Sequence, residues 1–444
     1  MNAGEGSERA RGGAPGSSGS FSAAIGIISF SVLLFEILLT RIFSVVLLYH
    51  FAYVAISLAL LGFSVGATWV HYHPSLHAPD RIGRTAALYG SAFGLSILGC
   101  ALFLIHFQPP GVDLYEGLNL PTLQYLLWTY AAATLPFVLS GVFVSALLTA
   151  GRASIGRLYG FDLLGASLGA VAVIPIIDAL GAPQGMLVAA AAASASGLVL
   201  VGGSRGFLKL LPGGVLLVVA ATSIASAGTD ALVLRFAKGK VEKNVLFEKW
   251  NSFSRVTAVR AKHGVRIRID SGAATLISPH TRHNLLETGI HSPAMHLRRD
   301  GDALIIGPGG GMEVATAARL GMRTITGVEL NPLVIELATQ RFGEMAGGLY
   351  ERENVQILNN EGRNFLARSS QEFDVLILTL VDTWAATAAG AFSLSENNLY
   401  TVEGFSTYLD HLRDDGILSI TRWYIPARPS ESLRLVALAR AALA

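Results

Sequence analysis

The chain has 444 residues, sequence for roughly two to four domains. Apolar residues make up 52% of it and charged residues 14%, against roughly 25% charged in an average soluble protein. That composition excludes a disordered, collagen-like or disulfide-scaffold protein, and a formal net charge of +2 leaves no electrostatic footprint for nucleic acid.

The charge is unevenly placed. Residues 1–230 carry 9 Lys or Arg and 9 Asp or Glu, whereas residues 231–444 carry 24 and 22. The first half reads as membrane and the second as a soluble globule. The single cysteine, Cys100, excludes an internal disulfide and a cysteine zinc cluster, and its apolar surroundings read as a buried, inert thiol.

Residues 1–20 are rich in Gly, Ser and Ala and read as a disordered tail. The apolar stretch that follows is too long for the core of a signal peptide. Residues 21–229 read as a multi-span α-helical transmembrane bundle of six or seven helices. Candidate spans are 22–44, 51–71, 85–106, 123–149, 159–181, 183–202 and 211–227, each near the ~20 apolar residues that cross hydrocarbon. Arg9 and Arg11, Arg81 and Arg84, Arg152 and Arg157, and Arg205 and Lys209 flank alternate loops, while loops 107–122 and 181–183 have no Lys or Arg. An excess of basic residues marks the cytoplasmic side, so the N-terminal tail is expected in the cytoplasm. Seven crossings would put residue 230 onward outside, yet Arg235, Lys238, Lys240 and Lys243 follow the last span. The stretch 211–227, which opens on Pro212, Gly213 and Gly214, is therefore expected not to cross. The whole reads as an integral protein of the plasma (inner) membrane, in contact with lipid, with its soluble half in the cytoplasm.

Glu36, Arg41 and Asp162 lie inside the spans. Charge within a membrane is a functional hypothesis by default, and the plainer reading is that Glu36 and Arg41 pair with other helices and hold the bundle together. Gly165 and Gly169 form a GxxxG pair that marks close helix packing. His71, His73 and His77 crowd one loop without accompanying carboxylates, and read as interfacial polar residues rather than metal ligands; no metal is expected.

From about residue 240 the pattern changes. Segments 245–250, 253–260 and 265–270 alternate, with Val265, Ile267 and Ile269 facing one way and Arg266, Arg268 and Asp270 the other. That alternation marks half-buried strands, and predicts a small antiparallel β-domain over 240–297. Over 298–444 short apolar runs alternate with helical stretches, the pattern of a parallel sheet with helices on both faces.

The run DALIIGPGGG at 302–311 is an apolar strand that breaks into a glycine turn. A helix follows, then a strand at 323–327, then Glu329. Glycine lets a nucleotide approach the backbone without meeting a Cβ. An acid after the second strand can accept both ribose hydroxyls, and Glu329 lies 22 positions after Gly307, near the ~20 expected. A strand at 355–358 leads to Asn360, Glu361 and Gly362, and a strand at 374–379 leads to Asp382. Both are carboxyl ends of strands, where ligands bind in open α/β sheets. Glu361 is placed to contact an adenine amine, with a plain helix-capping role as the alternative.

Residues 240–425 resemble the spermidine synthase family of polyamine aminopropyltransferases. The resemblance rests on LIIGPGGGMEV, GVELNPLVIELA, NNEGRNFL and FDVLILTLVD, on the small β-domain ahead of them, and covers the soluble half only. The apolar half looks like the membrane-fused branch of that family. The resemblance implies an α/β methyltransferase-like Rossmann fold that binds S-adenosylmethionine or its decarboxylated form as donor. It assigns the glycine loop (Gly307, Gly309, Gly310 and Gly311) and Glu329 to the thionucleoside and Glu361 to the adenine, with Asn331 and Gly362 as further donor-binding candidates. The β-domain resembles one that mediates dimers in the family, which leaves a homodimer open.

The departures matter as much. The family's Asp-x-x-Asp after the fourth strand, whose first acid helps deprotonate the attacking amine, here reads Thr379-Leu-Val-Asp382. Its upstream Tyr-His-Glu is replaced by Leu285, Leu286 and Glu287, with Glu287 the remnant. Thr379 and Asp382 are the catalytic candidates, yet a threonine cannot serve as a base near neutral pH. A dicationic diamine also wants several carboxylates around it. Segment 392–401 is expected to close over the acceptor, with Glu396 and Tyr400 as contacts, or with Tyr400 packed in the core and its hydroxyl satisfied. Five sheet strands can be placed, the last at 416–424, before a helix at 430–443, and the chain is expected to be a fragment of a longer one.

The reading is a membrane-anchored transferase that moves an aminopropyl or methyl group to a small-molecule acceptor. The alternative is a membrane transporter or sensor whose soluble domain binds a nucleoside or polyamine without chemistry.

Overall fold

A long apolar run can satisfy its backbone in hydrocarbon only by hydrogen-bonding to itself as a helix. The computed structural model, which describes residues 18–114, 119–151, 154–201, 209–279, 289–381, 399–422, 424, 426 and 429–444, folds each candidate span in that way. The chain forms two compact units, Met1–Glu242 and Lys243–Ala444.

The first unit contains α1 (Ser18–Val46), α2 (Val54–Tyr72), α3 (Ile82–His106), α4 (Leu120–Ala150), α5 (Ile155–Leu180), α6 (Ala182–Val201) and α7 (Leu210–Ser226). Helix α1 packs against α5 and α6, α2 against α4, and α3 against α4 and α6. The join between the first two spans, which lacks Gly and Pro, is made by a short 3-10 turn at Tyr49–Tyr53. Six of these helices are long and apolar enough to cross a membrane. The seventh, α7, has 17 residues, short of the ~20 a full crossing takes. The outward faces of α2 and α5 leave large apolar side chains uncovered, among them Leu60, Trp69, Leu168 and Val171. An apolar exterior of this kind is compatible with a membrane protein.

Small residues set the helix spacing. A Cβ on Gly165 would stand 2.0 Å from the Gly26 carbonyl oxygen, and one on Gly169 2.5 Å from that of Phe30, so the GxxxG face of α5 lies directly on α1. Asp162, one turn earlier on α5, accepts a hydrogen bond from Ser29 of α1. Arg41 is buried on α1 and Glu36 is half-buried on the same helix. His73 turns its ring onto Trp69 and shares Nδ1 with the Trp69 carbonyl at 2.9 Å.

The second unit opens with an antiparallel sheet of β3 (Val245–Trp250), β4 (Arg255–Ala261), β5 (Gly264–Ile269) and β6 (Ala273–Ile277), after a two-residue pair β1 (Phe236–Ala237) and β2 (Lys240–Val241) that closes the first unit. Val265 and Ile267 face inward as their alternation requires. Strand β6 has no clean alternation, since Ala273, Thr275 and Leu276 are all half-buried; pairing with β5 forms it.

The parallel sheet contains β7 (Asp302–Ile306), β8 (Thr324–Glu329), β9 (Val355–Asn359), β10 (Phe373–Thr379) and β11 (Leu412–Thr421), in the order β11-β10-β7-β8-β9. All four pairings are parallel. The order reverses direction at β7, where the β7–β10 gap opens a crevice at the strand carboxyl ends. Helices α8 (Met312–Arg319), α9 (Pro332–Glu336), α10 (Gly362–Ala367), α11 (Val402–Asp410) and α12 (Ser430–Ala442) connect and cover the strands. Two apolar cores result, one on each face of the sheet. Together these are a methyltransferase-like Rossmann sheet beside a small antiparallel domain. At the opposite, amino ends of the strands, Asp302 accepts hydrogen bonds from Arg323, Thr324 and Arg413. Those cations hold its carboxyl well below the usual carboxylate range.

Candidate active site

The glycine turn works because it is built from backbone that only glycine adopts at low cost. Gly307, Gly309 and Gly311 have φ of 69°, 52° and 89°. Gly310 is constrained differently: a Cβ there would meet the Leu276 carbonyl oxygen at 2.4 Å, because β6 lies across the loop. The Gly310 N–H donates to Thr275 Oγ1 at 2.8 Å. The small β-domain therefore clamps the loop.

Glu329 ends β8 opposite this turn. Its carboxylate accepts the Gly309 N–H at 3.2 Å and the Asn331 N–H at 3.0 Å. Burial pushes its pKa up, and these N–H donors oppose the shift. The Leu330 N–H is a third backbone donor, so of about four acceptor positions roughly one stays open, and a second hydroxyl would share an oxygen with a backbone donor. The Asn331 side chain is committed elsewhere: its Oδ1 accepts from Asn251 Nδ2 and caps α9 through the Leu333 N–H, and its Nδ2 donates to Ser254. Asn331 thus orients Glu329 and ties the β-domain to the sheet. Asn331 also lines the slot described below.

Glu361 is the N-cap of α10. Its two carboxylate oxygens accept the N–H groups of Arg363 at 3.1 Å and Asn364 at 2.7 Å. The capping role is thus realised, and the carboxylate still borders the same slot. That slot is lined by Phe253, Ser254 and Ile269 from the β-domain side, by Gly307, Glu329 and Asn331, by Asn360, Glu361 and Gly362, and by Val381 and Leu399. Its charged lining residues are both acids, and no Lys, Arg or His lines it among the described residues.

Beyond the slot lies the end of β10. Leu380 there has φ of 49°, a left-handed conformation that strains a leucine by about 1–2 kcal/mol. Strain of this sort clusters at functional sites. The Thr379 hydroxyl is buried and lacks a hydrogen bond of normal geometry among the described residues. The carboxylate of Glu313, on the first turn of α8, faces it. Burial pushes Glu313 up to about 7, against the stabilising effect of its own N–H and of the Thr379 hydroxyl. Tyr350 stands by both acids: burial and the charges of Glu329 and Glu313 raise its phenol, and its hydroxyl lies 2.5 Å from where a Cβ of Gly311 would be.

Tyr400 is buried in the second core, with its hydroxyl donated to the Val381 carbonyl at 3.3 Å and the Arg422 guanidinium 5.0 Å over its ring. The packing alternative therefore describes it. Asp382, Glu287 and Glu396 lie outside the described residues. Glu313, Tyr350, Thr275 and the Asn251–Ser254 turn escaped the sequence reading. Glu313 was hidden because an acid in a first helical turn is already explained by the helix dipole.

Residues 283–424 match the spermine/spermidine synthase domain family. A polyamine aminopropyltransferase of Oceanobacillus iheyensis is 23% identical over 195 residues, covering 43% of this chain and 36% of that protein. One of Korarchaeum cryptofilum is 27% identical over 132 residues, covering 30% of this chain and 38% of its own. Over those residues the second unit is similar to the spermidine synthase family. Among solved structures, a spermidine synthase from Thermotoga maritima aligns with a TM-score of 0.34 at 20% identity, over 46% of this chain and 64% of its own. A spermidine synthase in complex with the transition-state analogue AdoDATO aligns with a TM-score of 0.32 at 20% identity over the same shares. The chain thus spans little more than a third of the length of the two curated relatives described.

Proposed function

We propose that the protein is a membrane-anchored aminopropyltransferase, which takes the aminopropyl group of decarboxylated S-adenosylmethionine and passes it to an amine. The observation that carries this reading is the lining of the slot. Glu329, held by the Gly309 and Asn331 N–H groups, offers an open acceptor position to a ribose, and Glu361 offers its carboxylate to the adenine amine. The slot supplies acids and no cation among its described residues. Intact S-adenosylmethionine would need a partner for its own carboxylate, whereas the decarboxylated form presents only positive charge. The family match of residues 283–424 supports the same activity.

Transfer from a sulfonium asks the protein mainly to hold donor and acceptor in line. The leaving group is already activated by its charge. The six apolar helices would fix the enzyme at the membrane. The test is to incubate the detergent-purified chain with each donor and an amine panel, and to follow methylthioadenosine and S-adenosylhomocysteine by mass spectrometry. Methylthioadenosine is the expected product. S-adenosylhomocysteine alone would replace the reading with methyl transfer. Saturable binding with neither product would support the transporter or sensor reading, which Thr379 at the acid's position favours.

A further inference from the structure

Resting on that transferase reading, we infer that Glu313 is the carboxylate that receives the proton of the acceptor amine, in place of the acid whose position Thr379 occupies. Two elements bring the pair together. Strand β10 delivers Thr379 to the carboxyl edge of the sheet, and the glycine turn after its neighbour β7 delivers Glu313 to the same edge. The Thr379 hydroxyl points at the Glu313 carboxylate without completing a hydrogen bond of normal geometry. A buried hydroxyl without a partner among the described residues, beside a half-buried carboxylate, is an arrangement that a core does not tolerate for its own sake. It suits a cationic ligand, which supplies donors to both.

The charge environment fits proton transfer. The groups that face Glu313 among the described residues are the Thr379 hydroxyl, the Tyr350 hydroxyl and, across Tyr350, the Glu329 carboxylate. No cation is among them to hold Glu313 ionised. Its pKa of about 7 lets it accept a proton and release it again near neutral pH.

The step balances. The acceptor enters as an ammonium and gives one proton to Glu313. The nitrogen lone pair attacks the methylene carbon bound to sulfur, and the N–C bond forms as the C–S bond breaks. The C–S electron pair returns to sulfur, so the sulfonium becomes a neutral thioether. The products are a secondary ammonium and methylthioadenosine, and Glu313 then loses its proton to water.

The test uses the full chain in detergent, decarboxylated S-adenosylmethionine, and putrescine, cadaverine and spermidine as acceptors. Glu313→Gln should lower methylthioadenosine formation by about 100-fold or more. It should leave Kd for methylthioadenosine within about threefold, since the slot is untouched. In the wild type kcat/KM should rise with pH through about 7, and that limb should vanish in Glu313→Gln. Glu313→Gln combined with Thr379→Asp, which puts an acid back on β10, should regain about tenfold or more of the lost rate. Full turnover by Glu313→Gln, donor affinity lost in parallel with rate, or a double variant as slow as the single would each overturn the assignment and leave the transferase reading standing. A wild type that makes no methylthioadenosine from any acceptor would overturn both.

Discussion

Replacing Glu329 by glutamine tests the nucleoside site at its most determined point. The carboxylate is fixed by the Gly309 and Asn331 N–H groups at 3.2 and 3.0 Å, with one oxygen to each. With the Leu330 N–H as a third donor, about one acceptor position is left free, and the second ribose hydroxyl would share an oxygen with a backbone N–H. Glutamine keeps one acceptor oxygen and turns the other into a donor. One hydroxyl then loses a charged acceptor, a loss of about 1.5–3 kcal/mol. The other keeps a neutral acceptor, roughly half as strong. The amide also sets a donor against the N–H of the glycine loop or of Asn331. The sum, about 2–4 kcal/mol, is a fall in affinity of roughly 30- to 1000-fold. Calorimetry with methylthioadenosine on the detergent-purified chain would measure it. Repeating the titration with the 2′-deoxy nucleoside isolates the contact: the missing hydroxyl should weaken binding to the wild type and make little further difference to Glu329→Gln. If the deoxy ligand is penalised equally by both proteins, Glu329 does not bind the ribose and the site must be redrawn.

Other parts of the molecule make equally definite predictions. Glu361→Ala removes the cap of α10 and should cost about 0.5–2 kcal/mol of stability in thermal melts. The same variant should also lose any preference for methylthioadenosine over methylthioinosine, and an unchanged preference would leave Glu361 a cap only. Asp302→Asn should destabilise the soluble unit by about 1–2 kcal/mol at neutral pH, a figure discounted because its partner Arg323 is 59% exposed. Since the folded-state pKa of Asp302 is depressed, its contribution is complete above the unfolded value of about 3.9 and disappears as pH falls through the lower folded value. The gap between wild-type and Asp302→Asn melting temperatures should therefore narrow in acid and not in alkali. Gly165→Val drives a side chain into the Gly26 carbonyl, where no flexible atom can yield, and should cost about 1–3 kcal/mol or more. Gly213→Val, whose Cβ meets open space, should melt like the wild type.

The sequence was most informative where one physical signal dominates. Apolar length found each long helix among the described residues, because an apolar run satisfies its own backbone as a helix. The strand, glycine turn, helix, strand and acid of 302–329 are legible because each is required by local chemistry, and the structure folds them in that order. Strand β6 was invisible because Ala273 and Thr275 carry no period; its form comes from pairing with β5 and from lying on the glycine loop. Asn331 illustrates the opposite case. Its place in the motif points to the ligand, yet the side chain serves Asn251, Ser254 and α9, and only the folded chain brings those three together. Tyr400 likewise gave no hint of the Arg422 guanidinium over its ring, since β11 carries that residue from a different part of the sheet.

Read by motif alone, Thr379 is a loss: an acid has gone from the end of the fourth strand. The fold shows why that loss need not remove the charge from the site. In a doubly wound sheet the ends of β7 and β10 are neighbours, so a residue on the turn after one strand reaches the same space as the last residue of the other. Glu313 faces Thr379 from the first turn of α8, and the charges of Glu313 and Glu329 both act on Tyr350. What a cationic donor and a cationic acceptor require is negative potential at the strand ends, where field lines between low-dielectric walls are concentrated. Which strand or turn carries the acid matters less than its distance from the reacting nitrogen. On the proposed transferase reading, an acid on α8 stands in for one on β10, and the β10 position carries the smaller, neutral Thr379.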